Sequence, residues 1–315
     1  MNASTATTES RGRARRVLLA FSLILVVAGC TNSKLLLSPL YNSLDNRLEK
    51  RVRALVTLTR EQNSSVQTIS DDFHLWHRWY ELPRYAALLA DISNHLADNS
   101  ATQETVDGWF ASATEARRRL FLCSPTSESA QVMASLTDTQ VDQINEELMS
   151  PDDDEFDDEF DDDDQNTEPH LRVRRYLSLI GFRMQPDQLE RLKDMFESTR
   201  AVRSEGPDWR TVRDEWNERF VALLEARDAP DFEQQLHTYL DQRNEAFGKL
   251  RRERVRAMWR EYTYTEIQML SDSQRQFASR WLGKLSRTLL SISQDYQQRT
   301  DSKLLMACNP LYHRL

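Results

Sequence analysis

An all-α fold, an elongated multi-helix bundle in two helical subdomains, is what this sequence predicts, and three observations predict it. Glycine is scarce, seven in 315 residues, while Arg, Leu, Glu and Gln abound. That composition favours helices over sheets and tight turns. Apolar residues recur at helical spacing: Val66, Ile69, Phe73, Trp76 and Tyr80 form one stripe, and Phe277, Trp281, Leu285, Leu289, Ile292 and Tyr296 another. The third observation is a helix-start signal that returns four times. No run of strand-like alternation competes with these.

Taken in order, residues 1–29 read as a signal peptide. Arg11, Arg13, Arg15 and Arg16 precede an apolar run from Val17 to Ala28, which ends in Val27-Ala28-Gly29-Cys30. A basic stretch, a short apolar stretch and small residues at the cut describe export. The run is too short to span a bilayer, which needs about 20 apolar residues. A cysteine directly after Val-Ala-Gly resembles a bacterial lipobox, whose cysteine is acylated and becomes the first mature residue. An ordinary secreted protein with a chance cysteine is the alternative. The resemblance implies lipid anchoring at Cys30. Thr31, where an aspartate would signal inner-membrane retention, implies the periplasmic face of the cell outer membrane.

The N-terminal subdomain is expected over 30–149, and it opens with the first helix starts. Leu58-Thr59-Arg60-Glu61-Gln62, Leu136-Thr137-Asp138-Thr139-Gln140 and Leu270-Ser271-Asp272-Ser273-Gln274 share Leu-[Ser/Thr]-x-x-Gln. Met184-Gln185-Pro186-Asp187-Gln188 is a degenerate copy, with Pro186 suited to a first helical turn. The chemistry is a capping box. The hydroxyl of Thr59, Thr137 or Ser271 accepts from the amide three residues on, and Gln62, Gln140 or Gln274 reaches back to the cap amide. Spacings of 78, 48 and 86 residues between successive copies suggest two comparable halves. Good helix starts that simply look alike are the other explanation.

Between the halves, residues 150–168 read as a disordered acidic linker. Four of the 41 basic and one of the 50 acidic residues precede Cys30, which leaves the remainder at −12. Twelve of the acids lie between Asp152 and Glu168, so the excess belongs to this segment. Such a run resists packing through repulsion and desolvation. A plain solvated linker is the expectation. Docking through Phe156 and Phe160 onto a basic groove, and weak cation binding, are the alternatives. Arg117-Arg118-Arg119, Arg172-Val173-Arg174-Arg175 and Lys249 to Arg260 are the basic runs that could receive it. Nucleic acid is disfavoured as a partner by the compartment and the lack of net positive charge.

The C-terminal subdomain is expected over 169–304, with a tail over 305–315. Beyond Cys30 the chain holds Cys123 and Cys308. In an oxidising compartment an even pair reads first as a disulfide, and two separate buried thiols are the alternative.

His74 and His77, with Glu81 one turn beyond, have spacing that suits a divalent metal. The expectation is plainer: a packed aromatic helix in which His77 bonds Glu81, with no metal and no cofactor. Pro83 should bend or end that helix and turn Tyr85 and Leu88 onto the core. Catalytic signatures such as a Gly-x-Ser-x-Gly elbow or a Gly-rich phosphate loop are missing, so no catalytic residue is assigned.

Two resemblances follow from these motifs. Leu-Thr-x-x-Gln resembles the hallmark of the LTxxQ, Spy-type periplasmic stress chaperones, which implies a helical, cofactor-free binder of unfolded clients. That match covers only the five-residue motifs. More of the chain is similar to an uncharacterised family of Gram-negative lipoproteins, domain of unknown function 6279. The residues carrying it are Tyr41-Asn42-Ser43-Leu44-Asp45, Leu58 to Gln62, and His77-Arg78-Trp79-Tyr80-Glu81-Leu82-Pro83-Arg84-Tyr85. The poly-Asp insert departs from its pattern. The family implies no activity. The function expected is therefore a membrane-anchored, non-enzymatic binder of envelope or periplasmic proteins. A fixed scaffold, or a hydrolase of peptidoglycan or lipid, are the alternatives.

Overall fold

The computed structural model describes residues 33–149, 168–205, 209–246 and 249–294. Cys30, the signal peptide, the acidic stretch 150–167, Tyr296, Cys308 and the tail lie outside these residues, and so do the expectations that rest on them. The described residues are helical throughout, with thirteen α-helices, one π turn and no strand. None of the helices is long and apolar enough to cross a membrane.

The chain opens with α1 (Ser33–Tyr41) and α2 (Leu44–Leu55). Then α3 (Arg60–Trp76), the π turn (His77–Glu81) and α4 (Leu82–Ala97) run on as one helical path. This path shows how Pro83 is absorbed. A proline lacks an amide hydrogen and its ring crowds the carbonyl four residues back. The turn before it widens to i→i+5 bonding, with the Leu82 amide donating to the His77 carbonyl, and Pro83 enters the first turn of α4. The helix neither ends nor breaks. Tyr85 meets the His77 ring edge-on at 5.5 Å, and Leu88 packs on Ala101, Val106 and Trp109.

The path continues through α5 (Gln103–Leu122), α6 (Thr126–Ala134) and α7 (Asp138–Leu148). Beyond the acidic stretch come α8 (Pro169–Leu179), α9 (Pro186–Ser204), α10 (Trp209–Glu225), α11 (Phe232–Ala246), α12 (Lys249–Met269) and α13 (Asp272–Gln294).

The acidic stretch divides the sequence but not the packing. The largest apolar cluster joins Ala130, Leu136, Val141 and Ile144 of the first half to Leu223, Leu224, Phe232 and Leu236 of the second. The most extensive helix contact sets α13 along α4. Small residues permit that approach: a Cβ added at Gly283 would come within 3.1 Å of the Ser93 hydroxyl. Ser93 donates to the Ser279 carbonyl at 2.8 Å, and Ser286 to the Ala86 carbonyl at 2.6 Å. Each half thus completes the other's core.

Candidate functional site

Three features carry the residues singled out by the sequence. The first is the set of helix starts. Thr59 and Gln62 form the reciprocal cap of α3, and Thr137 and Gln140 that of α7. At α13 the Ser271 amide donates to Gln274 Oε1 at 3.0 Å, and the Gln274 amide to Ser271 Oγ at 3.3 Å. At α9 the Gln185 amide donates to Gln188 Oε1 at 2.8 Å.

The copies also bind one another in pairs. Gln140 Nε2 donates to Gln62 Oε1 at 2.8 Å and Gln62 Nε2 to Gln140 Oε1 at 3.2 Å. Each amide has a second acceptor just before the other's cap, Gln62 on the Ser135 carbonyl and Gln140 on the Thr57 carbonyl. In the second half Gln274 Nε2 donates to Gln188 Oε1 at 2.8 Å and to the Arg183 carbonyl at 2.8 Å. Gln188 returns a bond at 3.5 Å. Two amides that each give and take satisfy one another in a buried place, where an unpaired one would be costly. The four signals are two clasps.

The second feature is a charged joint at the π turn. His77 does not bond Glu81, as the spacing suggested. A turn one bond longer moves residue i+4 off the face of residue i. His77 Nδ1 instead accepts from the Tyr41 hydroxyl at 2.8 Å. Burial lowers the His77 pKa to about 4, more than offsetting the nearby Glu81, so the ring is neutral and can accept. Burial also raises that of Tyr41, keeping its hydroxyl a donor.

Arg78, 5% exposed, bonds the Asn42 side chain and the Ile292 carbonyl at the end of α13, and lies 4.9 Å from the centre of the Tyr41 ring. Glu81 is fully buried. Arg119 holds it with two bonds, 2.7 and 3.0 Å, and Arg84 with a third at 2.7 Å. Burial, with Glu81 beside it, pushes the Tyr85 hydroxyl up to about 12.

Most of the residues in the Tyr-Asn and His-Arg motifs therefore meet here, with Leu82 against Tyr41 and Ile292. Leu44 does not, being 40% exposed, and the Asp45 side chain lies outside the described residues. The His74 ring lies tilted against the Tyr41 ring, with centroids 4.7 Å apart. Among the described residues no three His, Cys, Asp or Glu gather as metal ligands would. Cys123 caps the end of α5, while its expected partner Cys308 lies outside the described residues.

The sequence reading missed Arg119 as the partner of Glu81. Arg119 belongs to one of the basic runs that could receive the acidic segment, but it turns in to Glu81, and Arg118 pairs with Glu115. The third feature, a cleft of about 1110 Å³ between α4 and α5, was not foreseen either. Ala87, Leu88, Ala111, Ala116 and Leu120 give it an apolar lining. Arg84 and Arg119 line it at the joint, and Asp91, accepting from Trp109 Nε1 at 2.7 Å, lines it toward the α4–α5 turn. Arg117 stands on its rim. Nearby on α12, Arg252 has its pKa lowered by burial and by the charges of Arg117 and Arg256.

Gly108 also lines this cleft, and a Cβ there would meet nothing within 4 Å. Glycine inside a helix costs about 1 kcal/mol relative to alanine. Packing within the protein does not ask for it.

A family model described as Family of unknown function (DUF6279) matches residues 54–252. Neither the curated proteins nor the solved structures yield a match.

Proposed function

Since the chain belongs to that family, which brings no activity with it, we propose from its own surfaces that it is a lipid-anchored periplasmic binder of polypeptide segments. It sits on the inner face of the outer membrane through Cys30, and it takes up envelope or periplasmic proteins in the α4–α5 cleft without chemistry. The observation that carries this reading is the cleft at Gly108: apolar walls, charged groups at its ends, and a bare backbone where an alanine would be more stable. An apolar segment suits it, because the walls reward apolar burial at roughly 25 cal/mol per Å². The hydrolase alternative loses support at the joint, where the polar groups of Tyr41, Arg78 and Glu81 are spent on bonds within the protein. Nucleic acid has no part in this reading.

The test is photo-crosslinking in the periplasm from benzoylphenylalanine placed at Ala111, followed by mass spectrometry. Adducts with several unrelated envelope proteins support a chaperone-like binder. One stoichiometric adduct points to a scaffold. Gly108→Leu fills the cleft from a site with room for it, so it should keep the fold and remove the adducts. Adducts undiminished in that variant would remove the cleft from the proposal.

A further inference from the structure

We propose that the outward face of α2 is a bilayer-contact surface, which seats Leu44 and Leu48 among the headgroups of an anionic lipid leaflet. The two side chains are 40% and 44% exposed. Among the described residues they are the one pair of exposed large apolar side chains a single turn apart on a helix. At 3.6 residues per turn, Leu44, Leu48 and the half-buried Leu55 fall within about 40° of one another around α2. Lone exposed leucines are ordinary, but an aligned ridge on a charged helix is the pattern of an interfacial helix.

Basic groups stand on the same helix. Arg51 and Lys50 are exposed, and Arg47 follows Leu44 by three positions, as Arg51 follows Leu48. The acid Glu49 is turned inward at 6% exposure and bonded by Arg53 at 3.0 Å. On the inward side Val52 packs against the shared core. In a chain of net charge −9, this helix presents apolar and basic groups together. That combination attracts an anionic lipid surface, since each basic residue near such a surface adds about 1 kcal/mol.

Position argues for lipid over a protein partner. Only Thr31 and Asn32 separate Cys30 from α1, and α1 has nine residues. Extended chain on either side of α1 and the helix rise within it place the start of α2 within about 35 Å of that cysteine. An acyl anchor there would hold the ridge beside the membrane, and the ridge would fix the orientation that the anchor alone leaves free. Leu44 also belongs to the Tyr-Asn-x-Leu-Asp motif without joining the buried cluster that its neighbours build.

Residues 31–315 contain every described residue, so this form, which lacks the acylated cysteine, separates the inference from the lipidation of Cys30. It is sedimented with vesicles of phosphatidylglycerol or of phosphatidylcholine. Binding to the anionic vesicles is expected, weaker in high salt and on neutral lipid. Leu44→Ser with Leu48→Ser should lower it by about tenfold or more, the loss of two partly inserted leucines. Leu290→Ser, at another exposed leucine, should leave it unchanged, and all forms should melt alike by circular dichroism. Absence of binding by the parent, or equal binding by the double variant, overturns the inference. So does a dimer in vesicle-free solution that the double variant dissolves, because the ridge would then belong to a second copy.

Discussion

The glutamine clasps and the charged joint do the same mechanical work with opposite chemistry. Both tie helices distant in sequence through buried polar groups. The clasps use neutral amides, occur twice, and fit at helix starts whose own caps orient them. The joint uses Glu81, Arg119, Arg84, Arg78 and His77 and occurs once. Neutral amides are cheap to bury and indifferent to pH, so they can be repeated. A buried carboxylate needs several donors at once, and the bonds it gains roughly offset the cost of drying it. The difference teaches that the clasp recurs in each half, while the joint gathers residues of the first half and reaches the second through the Ile292 carbonyl.

The contrast can be pressed hardest at Glu81. Glu81→Ala leaves Arg119 and Arg84 facing an empty place and should cost about 3–5 kcal/mol by urea unfolding. A loss below that of a clasp variant would mean that the ions are not what holds the joint. The second lever is pH. In the unfolded chain His77 returns to its ordinary value near 6.5, while the folded value is about 4. The unfolded state therefore binds the proton first, and stability falls as pH drops from about 6.5 to about 4. The loss is on the order of 3 kcal/mol at the low end and flat above that window. Thermal melts across pH 4–8 should show the fall, and His77→Gln should flatten it.

Clasp variants should ignore pH. Gln140→Ala takes one partner from the buried Gln62 amide and the side-chain donor from the Thr57 carbonyl, and should cost about 1–3 kcal/mol, whereas Gln62→Leu with Gln140→Leu should recover part of that. Thr59→Ala and Ser271→Ala remove only a cap, at about 1 kcal/mol each. The smallest effect is expected at Gln185, where a hydroxyl is lacking: Gln185→Ser should raise the melting temperature slightly, by about 0.5 kcal/mol of stability. A clasp variant whose loss follows pH as the joint's does would erase the distinction.

The caps were legible because a cap is written in five consecutive residues. Their pairing was not, since it joins residues 78 and 86 apart. One signal could have disclosed it. A glutamate in the third helical position completes a capping box as well as glutamine does, yet all four copies hold glutamine. A carboxylate would only accept, and two of them face to face would repel. Four amides where acids would serve mark a second bond.

The helical class followed from periodicity, and the described helices agree with it. The expected His77–Glu81 contact failed because the π turn alters the register that α-helical spacing assumes. Pro83 could have warned of it, standing two residues after Glu81 in an unbroken apolar stripe. The cleft escaped because an apolar wall and a packed face have the same sequence pattern. Gly108 was its one trace, and its meaning depends on the empty space beside it.

The contact between α4 and α13 sets an order on assembly. Arg78 reaches the Ile292 carbonyl across 214 positions, and Ser286 reaches Ala86 across 200. Contacts so distant in sequence form slowly, since the chain between them must close first. The face of α4 stays uncovered until residues 272–294 have left the ribosome. Any product that stops short of them keeps an apolar surface bare and prone to aggregate. The helix over 272–294 is thus a proof of length: only a chain read through it can cover α4.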